Sequence, residues 1–469
     1  MSVLAYPSIL CGGIALYLSL LSRRLRTPHP SSHPELPPNP QELDAVSYAG
    51  VDMLKGIPAK PTHAGYAIIG GSGYVGTYIV RLLLLRGETT VRVIDLRPPR
   101  EDILSHPSVS FVDADITKAE SIKTALLAPF PSTGSPPTVI FHTAAIIRFW
   151  DRASYTWDLS HQINVIGTRN VLEAAKELPQ GTILVYTSTA DTAIPRTRFM
   201  RLSSDYGNYP WNKLVISDDD PPLTGAALSD CCYTRSKQLA EDLVVVCDGI
   251  NALRIGILRP GYTIMGPNDR LITAALTMPT VPIFDEVYSH TNVCVWDIAA
   301  AHLVYEKALQ DSPDAVRGQK FLVSGSGPAW RLRDTRNTVK HYSSRPLTFT
   351  PVPPLLIYIL AHFIEAFLYL RYHILYPIYS LVYGTTPSLS PRWMDELLLL
   401  QPTTFAYMAD VVIDDSRARK LLGYKPQWTT LQCIRYTVEQ YESGKSGDAS
   451  GLRSDSFHTT MSRSDIGKS

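Results

Sequence analysis

The chain has 469 residues, two or three ordinary domains' worth, with room for one large α/β unit and additions. Hydrophobic residues at 45% against 19% charged exclude a chain disordered throughout. Forty-four Lys and Arg against 43 Asp and Glu give a net charge of +1, which excludes nucleic-acid binding driven by bulk charge.

Ser2 to Ser22 carries no charge, and as a helix it covers roughly 31 Å, about the hydrocarbon thickness of a bilayer. Arg23, Arg24 and Arg26 follow it, so the positive-inside tendency keeps the rest of the chain in the cytosol. Residues 1–26 are therefore expected to be an uncleaved membrane anchor; the alternative is a targeting segment that is removed. Residues 27–61, rich in Pro, Ser and His, predict an extended, solvated spacer.

Six apolar, β-branched runs come next: AGYAIIGG, TTVRVIDL, SVSFVDAD, TVIFHTAA, TILVYTST and ALRIGILRP. Continuous runs of this kind suit strands covered on both faces. Amphipathic stretches at 77–86, 117–127, 164–177 and 231–247 separate most of them. The first run opens onto Gly70, Gly73 and Gly76 in GGSGYVG, directly before the helical stretch TYIVRLLLLRG. Glycine at these places permits a tight turn and close approach of backbone amides, here including those of Tyr74 and Val75, to a pyrophosphate. The helix start adds partial positive charge. Together these features predict an α/β fold, a doubly wound parallel sheet of Rossmann type.

A strand-to-helix turn selects glycine for itself, so a second feature is needed. Asp95 closes the next strand roughly 20 residues on, where a carboxylate accepts from the adenosine ribose hydroxyls and repels a 2′-phosphate. This favours NAD, while Arg97 keeps NADP open. Asp115 and Ile116 end the third strand. They either meet an adenine edge or, with Thr117 and Glu120 read as a capping box, support the next turn. His142 precedes Thr143, Ala144 and Ala145, small residues expected beside the nicotinamide half of the cofactor. No second ligand at metal spacing accompanies His142, and no metal is expected. The six cysteines have no C-x-x-C spacing and read as reduced, mostly buried thiols.

TILVYTST ends in three hydroxyl residues, Thr187, Ser188 and Thr189. Tyr233 and Lys237 stand four apart in YTRSK and project from one face of a helix. A tyrosine pKa near 10 falls when an ammonium stands close, which suits the phenol to take the proton of a substrate alcohol. An ordinary amphipathic surface pair has the same spacing, and the order behind a dinucleotide loop favours the catalytic reading.

With these residues in place the chain resembles an extended short-chain dehydrogenase/reductase. Within that group it is similar to the 3β-hydroxysteroid dehydrogenase/isomerase family, including the sterol 4α-carboxylate 3-dehydrogenases. The matching pieces are GGSGYVG, VIDL, DADI, FHTAA, INVIGTRNVLEAA, VYTST, YTRSK, LRPGYTIMGP and VWDIAAAH, over roughly residues 64 to 325. The resemblance implies that Tyr233 is the acid/base, that Lys237 binds the nicotinamide ribose, and that the last hydroxyl of VYTST completes the site. Relatives usually have Ser at that position; here it is Thr189, and Ser188 is a second candidate. It further implies that Asn164 lies on a helix lining the sheet behind the site, that Pro260 abuts the nicotinamide carboxamide, and that two copies pair. The stretch from Thr189 to Tyr233 is longer than the family's, and its excess, RTRFMRLSSDYGNYPWNK, reads as a lid or as a surface insertion.

Val352 to Tyr383 is dense in Leu, Ile, Tyr and Phe but interrupted by His362, Glu365, Arg371 and His373, which opposes a second spanning helix. It reads as the wall of an apolar substrate pocket, as an interfacial segment on a membrane, or as plain core. The expected organisation is an anchor (1–26), a spacer (27–61), an NAD-binding domain (62–345), an apolar substrate- or membrane-associated portion (346–442) and a disordered tail (443–469). The expected activity is oxidation of the 3β-hydroxyl of a steroid, sterol or related terpenoid with NAD on the cytosolic face of the endoplasmic reticulum, with decarboxylation or isomerisation left open. The alternatives are an NADP-dependent ketone reductase, a nucleotide-sugar epimerase, and a membrane-tethered NAD-binding scaffold without turnover.

Overall fold

The computed structural model describes residues 5–195, 214–225, 230–278 and 280–444. The expected lid or insertion and nearly all of the expected tail lie outside the described residues.

Seven strands form one parallel sheet: β1 (Tyr66–Ile69), β2 (Val91–Asp95), β3 (Val109–Asp113), β4 (Val139–His142), β5 (Ile183–Thr187), β6 (Arg254–Pro260) and β7 (Lys320–Val323), in the order β7-β6-β5-β4-β1-β2-β3. The first six are the predicted ones. The seventh, KFLV, is too short an apolar run to stand out in the sequence.

Alternate side chains leave opposite faces of a strand, and each face is covered. Tyr66 and Ile68 enter one core with α2 (Tyr74–Arg86) and α6 (Val295–Asp311). Ala67 and Ile69 enter the other, with α3 (Ala119–Leu127), α4 (Gly167–Ala175) and α5 (Cys232–Val246). Two-sided burial is why these strands read as unbroken apolar runs. The order reverses beside β1, so the loops after β1 and β4 diverge at the carboxyl end of the sheet and leave a crevice there.

The spacer expectation is overturned. Residues 27–61 lie along the protein: the His29 amide donates to Asp410 at 2.6 Å, the Glu35 amide to the Ala329 carbonyl at 3.0 Å, and the Trp330 indole to the Glu35 carboxylate at 2.8 Å. Tyr48 stacks on Trp428, and Met53 is buried. Proline denies this stretch a ladder of its own, but the neighbouring surface supplies partners for its backbone.

The 346–442 portion also divides. Ala418, Leu422, Tyr424, Trp428, Ile434 and Val438 return to the core shared with α2 and α6. What stands apart is α7 (Pro354–Ile378), which continues as a wider helical turn to Tyr383. Among the described residues this helix, rather than α1 (Ala5–Arg24), is long and apolar enough to cross a membrane. Leu21 and Leu25, at the end of α1 and just beyond it, are buried with Tyr358, Ala361 and Phe405.

Candidate active site

The glycine loop is built as a phosphate cradle. Gly70 has φ +81°, and a Cβ at Gly76 would stand 2.3 Å from the Gly70 carbonyl oxygen, so only glycine fits there. Gly73 sits at the N-cap of α2 without any side-chain cap, which leaves the first-turn amides to a ligand. The Tyr74 ring packs edge-on against Tyr78 and Val75 packs on the core, so both present backbone to the crevice. Behind the loop, the Thr143 hydroxyl donates to the Ile69 carbonyl at 3.0 Å and the Ala144 amide to the same oxygen at 2.9 Å. Ala145 follows, partly exposed.

Asp95 faces this loop. Its carboxylate accepts from the Ser72 amide at 3.1 Å and the Leu96 amide at 2.8 Å; burial raises its pKa and these amides oppose the rise. Asp115 is turned to its own segment, accepting from the Thr117 amide at 2.9 Å and hydroxyl at 2.7 Å. The expected capping box does not form: α3 starts at Ala119 with Lys118 at its cap and no side-chain bond. The Ile116 carbonyl accepts from Asn170 at 3.0 Å.

Tyr233 and Lys237 lie on α5, both buried, at 6% and 1% exposure. Burial, followed by the Asp191 carboxylate, holds the Tyr233 pKa well above its ordinary value, and a hydrogen bond with the Thr189 side chain opposes this. Thr189 is therefore the hydroxyl brought to the phenol. Ser188 is not: its hydroxyl is buried without a hydrogen-bond partner and its amide donates to the Leu258 carbonyl. The Lys237 ammonium donates to the Thr187 carbonyl at 2.6 Å and stands 4.2 Å over the Tyr186 ring, with its pKa pushed down to about 7 by burial. It is thus engaged with strand β5, not with the phenol as expected. His142 bonds Thr168 at 3.0 Å and is held neutral, its pKa lowered to about 3 by burial and then by Lys237. Asn164 accepts from the Ile146 amide at 2.8 Å and donates to the Ser236 hydroxyl at 2.9 Å, tying the loop after β4 to α5. Pro260 ends β6 opposite Val323. No metal-holding cluster is present among the described residues.

Sequence reading missed the residue that fixes α5. Glu241, fully buried two turns beyond Tyr233, pairs with Arg259 of β6 at 2.6 Å and Lys320 of β7 at 2.9 Å. Arg259, an arginine inside an apolar strand, was the available signal, because a buried charge needs a partner. Burial alone would raise the Glu241 pKa, but Arg259 and then Lys320 carry it down to about 2. Glu241→Gln is expected to cost about 3–5 kcal/mol, since Arg259 stays buried without its counter-charge. A depressed carboxyl stabilises fully above its unfolded pKa and loses that contribution as pH falls through the folded one. Urea unfolding of the native chain should therefore weaken between the ordinary carboxyl value of 4.5 and about 2, and the Gln variant should be flatter there.

A second missed feature is the loop from Arg148 to Thr156. Its Asp151 carbonyl accepts from the Cys232 amide at 2.8 Å, at the start of α5. Its other side grips α7: Arg152 forms a two-pronged ion pair with Glu365 at 2.6 and 2.7 Å, Tyr155 stacks on Tyr372 with ring centres 4.5 Å apart, and Trp150 packs on Ile364 and Leu368. Two of the charges that opposed a spanning helix are taken by other parts of the chain: Glu365 by Arg152, and Arg371 by the Ser388 carbonyl at 2.8 Å.

The pattern of the 3-beta hydroxysteroid dehydrogenase/isomerase family matches residues 67–342, more than half of the chain. The chain belongs to that family. Its 3-beta hydroxysteroid dehydrogenase relatives include the human type 7 enzyme, 28% identical over 77% of this chain and 91% of that protein. They also include the decarboxylating sterol-4-alpha-carboxylate 3-dehydrogenase of Candida albicans, 23% identical over 79% and 96%. Among solved structures the chain is similar to MoeE5 in complex with UDP-glucuronic acid and NAD, with TM-score 0.54 and 16% identity over 81% of this chain and 99% of that one. A UDP-galactose 4-epimerase gives TM-score 0.52 and 17% identity over 81% and 99%. At such identities the structures show a shared extended dehydrogenase/reductase fold. As a 3-beta hydroxysteroid dehydrogenase/isomerase family member the chain is an NAD-dependent oxidoreductase.

Proposed function

We propose that the chain oxidises the 3β-hydroxyl of a membrane-derived sterol or steroid to the 3-ketone, with NAD as acceptor. The arrangement that carries this reading is buried Tyr233 close to the Thr189 side chain, with Lys237 bound to the Thr187 carbonyl, at the same carboxyl end of the sheet as the glycine loop after β1. NAD, when bound, supplies a cationic ring that accepts two electrons with the carbinol hydrogen. Thr189 holds the substrate oxygen against Tyr233, whose phenol first releases its own proton to solvent; the resulting phenolate then takes the hydroxyl proton. Lys237, held by its bond to the Thr187 carbonyl, would bind the nicotinamide ribose. Asp95 orients the adenosine ribose, and the α2 amides hold the pyrophosphate.

The ketone of a 4-carboxylated sterol is a β-keto acid, which loses CO2 without any further side chain. The membrane part of the reading is supported by α7, whose Leu356, Phe363, Phe367, Leu370 and Ile374 face outward at helical spacing. In this reading the outward face of α7 lies against the endoplasmic reticulum membrane and the sheet faces the cytosol.

The test incubates detergent-solubilised full chain and NAD or NADP with 3β-hydroxysteroids, 4-carboxysterols and UDP-sugars, following reduced cofactor and product mass. Reduced NAD with a 3-ketone about 2 mass units lighter is expected, and a further loss of about 44, the mass of CO2, marks decarboxylation. Turnover confined to UDP-sugars would reject the assignment. Asp95→Asn is expected to raise the KM for NAD about tenfold, as loss of a charged acceptor costs about 1.5 kcal/mol, with kcat little changed and NADP less disfavoured. Steady-state kinetics with both cofactors measures it.

A further inference from the structure

Ser19, Ser22, Arg23 and Arg26 recur at i, i+3, i+4 and i+7 and so share one face of the first helix and the turn that ends it. That face forms one side of an open groove of about 690 Å³, joined by Leu18 and by Leu355 at the start of α7. The groove is fixed to the globular part, because Leu21 and Leu25, on another face, are buried beside Tyr358 and Phe405. Both arginines are exposed, and among the described residues neither guanidinium is paired with a carboxylate. Large apolar side chains flank it on each helix, Ile9, Leu10 and Ile14 on α1 and Leu356 and Leu360 on α7.

These features select an occupant. Flanking faces this apolar stay out of water only at a lipid surface, so an acidic peptide or a free phosphate would leave them exposed. Two unpaired guanidiniums beside hydroxyls match a phosphate, and Leu18 and Leu355 match the acyl chain below it. We propose that the groove between α1 and α7 seats the headgroup of an anionic phospholipid, with Arg23 and Arg26 on its phosphate. This rests on the membrane-facing reading above and adds the lipid class to it. The seat sets how the protein sits on the bilayer, with the α7 face toward the acyl region.

The test is co-flotation of the full chain with vesicles of phosphatidylcholine alone or with added phosphatidylserine, at physiological ionic strength. Each basic side chain near an anionic surface contributes about fivefold in binding, so Arg23→Gln with Arg26→Gln should weaken binding to the mixed vesicles about 25-fold. Binding to pure phosphatidylcholine should change less than twofold. Ser19→Trp fills the groove and keeps both charges, and it should also weaken binding to the mixed vesicles selectively. Turnover of a soluble steroid in detergent should be unchanged in both variants, which shows that they fold. Equal loss on both vesicles, or no loss, overturns the proposal. Loss in the Gln variant with Ser19→Trp unchanged assigns the effect to bulk charge and also overturns it. Failure of the native chain to float with either vesicle overturns the membrane-facing reading itself.

Discussion

Replacing Tyr233 with Phe is expected to lower kcat about a thousandfold while NAD still binds. General acid/base catalysis by one placed side chain is worth about 10²–10⁴ in rate. The Phe ring keeps the packing of a buried site but removes the phenol oxygen brought close to Thr189. Single-turnover kinetics with fluorescence titration of NAD separates the two effects. Retained turnover in Tyr233→Phe would move the proton transfer to another group. Loss of NAD binding instead would mean that the substitution had damaged the crevice.

The second large effect is expected at Gly76. A methyl there would meet the Gly70 carbonyl oxygen at 2.3 Å and the Gly71 Cα at 2.7 Å, both backbone atoms that cannot rotate away. Gly76→Ala must therefore push the loop off the start of α2. Bonds from amides to a charged phosphate contribute about 1.5–3 kcal/mol each, so losing two should weaken NAD by more than about a hundredfold. Isothermal titration measures the affinity, and circular dichroism checks that the sheet persists. Gly73→Ala is the contrasting variant, because a Cβ there meets only the Gly70 oxygen, at 3.1 Å, and it should bind NAD far better.

Much of the sheet was legible because parallel strands covered on both faces leave a continuous apolar signature, and GGSGYVG marks where a chain turns under a phosphate. Tyr233, Lys237 and Thr189 were legible as types in order, but the choice between Thr189 and Ser188 was not. Consecutive residues at a strand end point to different sides, and only the backbone turn beyond β5 decides which meets the phenol. The Pro-rich stretch misled because composition reports what a segment does alone, and residues 27–61 take their hydrogen bonds from distant parts of the chain. The charges on α7 spoke only against a spanning helix; that Glu365 is taken by Arg152, far away in sequence, shows in the structure alone. Glu241 was invisible because its partners lie on two strands, and one of those, KFLV, was itself too short to detect.

The loop that carries Asp151 and Arg152 holds the reactive helix with one hand and the greasy outer helix with the other. Damage therefore travels inward from the perimeter. A solubilising agent that disturbs Pro354–Ile378 is expected to lower turnover through that loop, and turnover is the better measure of a preparation.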